Sequence, residues 1–191
     1  MVKVGFIVEG ASERIVLKSN AFQMFLQTQG IKLVGDIIDM AGKGNLRQSN
    51  TRMNSQVQLL RELGAEWIVV LRDYDGATSF SAVKAEVFQS LDVCVCIAVQ
   101  ELEAWFLADH FTLLTLLQIN FCYLLPETVF KPAELLSAFR LEETGRGIKD
   151  KKLFARQMIG HGFTIQQAAR HPNCPSAQYF LSTLQILASA N

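Results

Sequence analysis

The residues best suited to chemistry in this chain are acids that follow apolar runs. Val2–Val8 ends in Glu9-Gly10, with a second acid at Glu13. Ile68–Leu71 ends in Arg72-Asp73-Tyr74-Asp75-Gly76. Two buried strands would each deliver carboxylates at their C-terminal ends, the edge where ligands bind in an open parallel sheet. Glu9, Glu13, Asp73 and Asp75 gathered there would repel one another without a cation between them. Hard oxygen ligands suit Mg²⁺ or Mn²⁺, and with them metal-dependent phosphate chemistry. Each acid also has a plainer account. Asp and Gly favour turns, Glu9 adjoins a tight Gly10 turn, and Glu13 suits a helix N-terminus.

Basic residues that could meet a phosphate fall in two segments. Gly42-Lys43-Gly44-Asn45 is read as a loop. It lacks P-loop glycine spacing and has no Ser or Thr after the lysine, but Lys43, Arg47 and Arg52 are candidate backbone-phosphate contacts. Residues 140 to 156 hold six basic and three acidic residues, a local net of +3 in a chain with 18 of each sign. Arg146 is a substrate-binding candidate there. Lys151 or Lys152 would stabilise charge developing on a scissile phosphate. A solvated helix face is the ordinary reading of such a run. His110, His161 and His171 have no catalytic partner in the sequence pattern and are read as structural or exposed. The four cysteines form no C-x-x-C pair and are read as buried, reduced thiols.

The elements that would position these groups alternate over the first hundred residues. Strands are expected at Val2–Val8, Ile31–Met40, Trp67–Leu71 and Val93–Val99. Helices are expected from Ser12 to about Gln29, around Met53 to Leu63, and from Ser79 to Leu91. The strands are continuous apolar runs, as when both sheet faces are covered. This predicts α/β architecture built from βαβ units: a four-stranded, mainly parallel sheet in order 2-1-3-4, flanked by helices. Residues 1–110 would form this domain, and residues 111–191 a helical C-terminal extension packed on it. The chain starts almost at once with a strand, so no secretory signal is expected. Phe111 to Leu125 is too short to span a membrane. A cytoplasmic protein is the expectation.

The Val8-Glu9-Gly10 and Glu13 pattern, followed by Asp73-Tyr74-Asp75, resembles the Toprim fold of topoisomerases, bacterial primases and the overcoming-lysogenization-defect (OLD) nucleases. Glu101-Leu102-Glu103-Ala104-Trp105-Phe106-Leu107 and Asn173-Cys174-Pro175-Ser176 are similar to small Toprim-like proteins of bacterial defence loci, close to RloB-type abortive-infection proteins. The resemblance covers the first 110 residues well and the tail loosely. It implies that Glu9, Asp73 and Asp75 are core metal-binding acids. Glu13, Glu101 and Glu103 match extra acids that would complete a second metal site. Topoisomerase and primase activities are not implied, because the additional domains they need are missing. An ATPase, if involved, would be a separate subunit.

The expected reaction is phosphodiester hydrolysis of nucleic acid, DNA or RNA, with Mg²⁺ or Mn²⁺, in a phage-defence setting. Glu9 or Glu13 is the candidate general acid or base. Two rivals stay open: a non-catalytic Toprim-like module that binds nucleic acid or a partner, and a phosphohydrolase of small molecules.

Overall fold

The computed structural model of the protein describes residues 1–47, 49–77, 79–118 and 122–189. Strand β1, Val2–Val8, is buried along nearly its whole length. Helices α1, Ala11–Leu17, and α2, Asn20–Thr28, follow. One helix was expected across this stretch. It breaks at Ser19, whose side chain accepts from Phe22 N–H and starts α2, as a capping serine does. Strands β2, Ile31–Leu33, and β3, Ile38–Asp39, replace the single strand expected over Ile31–Met40. Gly35, at φ +64°, turns the chain between them. Lys43–Leu46, expected as a loop, forms a turn of 3₁₀ helix.

Helix α3, Thr51–Glu62, leads to β4, Trp67–Asp73. Helix α4, Phe80–Glu86, leads to β5, Val93–Ala98. The expected helix stopped at Leu91, but α4 ends a turn earlier and Leu91 is fully exposed. Beyond β5 every regular element among the described residues is helical: α5 Glu103–Ala108, α6 His110–Leu117, a 3₁₀ turn at Pro126–Thr128, α7 Pro132–Thr144, α8 Lys151–Gly160, α9 Ile165–Arg170 and α10 Pro175–Ser189.

Among the described residues the sheet has five strands rather than four, because the expected second strand is split in two. Its order is β2-β1-β4-β5, with β3 also beside β1. All its ladders are parallel. One hydrophobic cluster joins β1, α2, α5 and α10; a second, on the other sheet face, joins α3 and α4 to β4 and β5. The first contains residues from both sides of position 110.

Gly5 shows how tightly the second layer sits. A Cβ there would lie 2.8 Å from Leu60 Cδ1 and 3.1 Å from Leu60 Cγ. The bare glycine lets fully buried Leu60 of α3 rest on β1. Gly5→Ala is expected to lower stability by about 1–3 kcal/mol through overpacking. A urea midpoint equal to wild type would show that α3 shifts freely.

Candidate functional site

Strand register decides which acids meet. Val8 pairs with Leu71, and Asp73 with Ala98. Glu9 N–H donates to Leu71 C=O at 3.0 Å, so the chain leaves β1 and β4 at one edge. There Glu9, Glu13, Asp73 and Glu103 line a cavity of about 320 Å³ with Asp39, Lys151 and Lys152. The cleft is cut into the C-terminal edge of the sheet, roofed by the start of α8.

Main-chain contacts fix several of these carboxylates. Asp73 N–H donates to Glu9 Oε2 at 3.3 Å, and Leu102 N–H donates to Asp73 Oδ1 at 2.9 Å. A Cβ on Gly10 would come 3.2 Å from Glu13 Oε2, so the glycine leaves room for that carboxylate. Three non-glycine residues take left-handed backbone here: Ala41 (φ +56°) after β3, Asp75 (φ +52°) after β4 and Gln100 (φ +62°) after β5. Asp75 N–H donates to Gln100 C=O at 2.9 Å, tying two of these bends together. Strained bends of this kind persist where surrounding contacts hold them, and they cluster at functional sites.

The electrostatics are crowded. Burial raises the Glu13 pKa to about 7, and the nearby Glu103 and Glu9 charges add to the effect. Asp73 is pushed well above the ordinary carboxylate range by burial, then by Glu13, Glu103, Glu9 and Asp75. Burial also raises Glu9 and Glu103, opposed by Arg72 at the first and Lys151 at the second. Lys151 Nζ sits 3.3 Å from Glu101 and 3.5 Å from Glu103. Burial disfavours its charge, but Glu103, Glu101 and Asp73 outweigh that and raise its pKa. Lys43 Nζ pairs with Asp75 at 2.9 Å.

Among the described residues, no three His, Cys, Asp or Glu side chains stand close enough to hold a metal ion as they are. The donor set itself suits one: hard carboxylate oxygens outnumber nearby cations, and Glu101 Oε2 is buried without a described partner. Glu9, Asp73 and Glu103 would hold the ion, with the Glu13 carboxyl beside them left to carry a proton.

The other candidates divide. Asp75 and Glu101 lie beside the cavity, each engaged by a lysine. Arg52 reaches this edge and donates to Asp39 C=O at 3.1 Å. Arg47 instead forms an isolated antiparallel bridge with Val87. Arg146 is exposed just beyond α7, where its main chain bonds the Thr144 hydroxyl. Neither shares the acids' cavity. Sequence reasoning missed Asp39, hidden in the expected second strand, and Arg72. Arg72 is buried 4.0 Å from Glu9 and 3.4 Å from Glu86. A charge closing an apolar strand was the available signal.

Two sequence motifs meet away from the acids. Trp105 Nε1 donates to Ser176 Oγ at 2.7 Å, and Ser176 donates to buried Glu127 through Oγ–H, at 2.5 Å, and through N–H, at 2.9 Å. No sequence signal pointed to Glu127. Cys174 is buried beside it, and burial pushes the thiol up. Cys96 is also buried, but Cys94 is partly open and Cys122 exposed, contrary to expectation. His171 is buried: Nδ1 accepts from Asn173 N–H and Nε2 lies 3.7 Å from Cys122 Sγ.

The fold and site define a parallel α/β protein with a carboxylate-lined cleft at the C-terminal edge of its sheet. Residues 8–185 match a domain of unknown function, DUF4276, and the chain belongs to that family. The match carries no Toprim, OLD or RloB assignment. No curated protein and no solved structure matches the chain. No described helix is long and apolar enough to cross a membrane.

Proposed function

We propose that this protein is a metal-dependent phosphodiesterase acting on nucleic acid at the carboxylate cleft. The observation that carries the reading is the crowding of Glu9, Glu13, Asp73 and Glu103 around one cavity, with Asp73 and Glu13 driven toward protonation. A buried set of this kind is relieved by protons, by Lys151 or by a divalent cation. Its position at the C-terminal edge of a parallel sheet suits a ligand site. The Toprim resemblance of Glu9 and Asp73-Tyr74-Asp75 points the same way, and extends the proposal to phage defence with a separate ATPase partner.

When bound, Mg²⁺ or Mn²⁺ would polarise a phosphate oxygen and acidify a water. The chain's own groups do the rest. Glu13 accepts the proton of the attacking water as the new P–O bond forms, and that proton passes to the sugar oxygen released when the scissile P–O bond breaks. Lys151, at the boundary of α8 and the acids, exchanges a glutamate for a phosphate oxygen. Lys152, Lys43 and Arg52 meet flanking phosphates on the rim, where contacts supply affinity rather than sequence choice.

The test joins metal binding to cleavage. Calorimetric Mn²⁺ titration is expected to show binding that Asp73→Asn and Glu9→Gln weaken at least tenfold (about 1.4 kcal/mol). Labelled single- and double-stranded DNA and RNA are expected to be cut by wild type with Mn²⁺, and by neither variant. Absence of Mn²⁺ binding would overturn the reading and leave a nucleic-acid or partner-binding module. Metal binding with turnover of small phosphate esters alone would assign a small-molecule phosphohydrolase.

A further inference from the structure

Strand β5 is the outer strand of the sheet, and its free side borders a second cavity. The C=O groups of Asp92, Ala98 and Gln100 accept from Ile68, Tyr74 and Asp75 N–H at 2.8, 2.9 and 2.9 Å. Even-numbered main-chain groups therefore face β4, and odd-numbered ones face away. Two of the outward N–H groups are occupied: Val93 N–H by Ser90 C=O at 3.1 Å, and Val99 N–H by Ser176 Oγ at 3.3 Å. Val95 and Ile97, between them, have no described partner on that side. Ile97 lines the cavity described next, so its outward main-chain groups border that space.

Beside Ile97 and Val99 lies a cavity of about 610 Å³, a size that suits a small organic ligand. Phe80 and Lys84 of α4 and Tyr179 of α10 line it, with Asn173 and Glu127 among its polar members. Phe80 and Tyr179 are each about half exposed, at 51% and 49%. Lys84 Nζ stands 5.1 Å from the Tyr179 ring centre and 3.4 Å from its hydroxyl.

We propose that this cavity binds the purine base of a nucleoside phosphate. Three features select that chemistry. The open edge offers N–H and C=O groups side by side, complementary to a purine edge that places a donor beside an acceptor. Phe80 and Tyr179 offer aromatic faces of the kind on which bases stack. Lys84 supplies positive charge for a phosphate. A lipid chain would leave Ile97 unsatisfied. An added peptide strand would need a longer open edge than the two residues left between the occupied Val93 and Val99 amides. The site does not depend on the acidic cleft, although Tyr74, between Asp73 and Asp75, packs on Phe80 at 4.9 Å.

Trp105 is a built-in reporter, because it bonds Ser176, which lines the cavity. The full chain would be titrated by fluorescence and calorimetry with adenosine, AMP, ATP and oligodeoxyadenylate, in EDTA to silence divalent ions. Saturable binding is expected. Phe80→Ala should weaken it about tenfold. Lys84→Ala should weaken AMP more than adenosine, and Asp73→Asn should leave affinity unchanged. Binding of AMP identifies a free nucleotide as the source; binding of the oligonucleotide but not AMP, when Phe80→Ala weakens it, identifies a base within a strand. The proposal is overturned if no probe binds. It is equally overturned if Phe80→Ala, Tyr179→Ala and Lys84→Ala, each folded by circular dichroism, bind like wild type.

Discussion

Glu13→Gln is expected to stabilise the protein at pH 8 by about 3 kcal/mol while leaving it unchanged at pH 4. In the unfolded chain this carboxyl ionises near 4.5; in the folded protein burial, with Glu103 and Glu9 nearby, raises it to about 7. Below pH 4.5 both states hold the proton and stability is at its full value. Between pH 4.5 and 7 the unfolded chain releases the proton and the native state keeps it, so stability falls as pH rises. Above pH 7 the loss is complete. That gap corresponds to about 3 kcal/mol. Asp73 shifts in the same direction and steepens the fall. Glutamine keeps the shape without the charge, so the variant's profile should be flatter. Urea unfolding from pH 4 to pH 8 measures both curves; coincident profiles would show that the acids stay hydrated. Under the metal reading, Mn²⁺ should flatten the wild-type profile too, by stabilising the ionised acids.

Glu127→Ala is expected to cost about 3 kcal/mol, because it strips a buried carboxylate from two Ser176 donors. The Ser176 N–H at the start of α10 would lose its partner, and the hydroxyl holding Trp105 Nε1 and Val99 N–H would lose its anchor. Glu127→Gln keeps an acceptor and should cost less. A double-mutant cycle of Glu127→Ala with Trp105→Phe should show coupling, since both act through Ser176. Red-shifted tryptophan emission should accompany the loss. A change within about 0.5 kcal/mol would mean that water replaces the carboxylate.

The strands around the site were legible because they are buried on both faces, which writes them as unbroken apolar runs. Val2–Val8 and Trp67–Leu71 carried enough of that signal to bring Glu9 and Asp73 together on paper. The break at Ser19 was not legible, because the apolar spacing continues across it and only the serine that caps the start of α2 marks it. The split at Gly35 had a visible glycine, but the apolar residues on either side of it read as one strand. Asp39 was lost inside that expected strand. Lys151 was readable as a cation near a phosphate site. That it already bridges Glu101 and Glu103 depends on how α8 docks, which local periodicity does not encode. Arg47 and Arg146 had the right charge, and their segments simply lead elsewhere. Glu127 acts only through a helix start far away in sequence.

Phe180 stacks on Phe22 at 5.9 Å and packs against Trp105 at 5.6 Å. The first hydrophobic cluster is therefore closed by a helix that is synthesised after nearly everything it covers. While the chain emerges from a ribosome, β1, α2 and β4 can assemble, but the layer beneath Phe22 and Trp105 stays uncovered until α10 arrives. Contacts so distant in sequence are slow to form because loop closure must come first. A chain cut short before α10 would display an aromatic surface and the unpaired side of β5 together, a combination that favours aggregation. The aromatic layer over Phe22 and Trp105 is thus complete only once α10 has been translated.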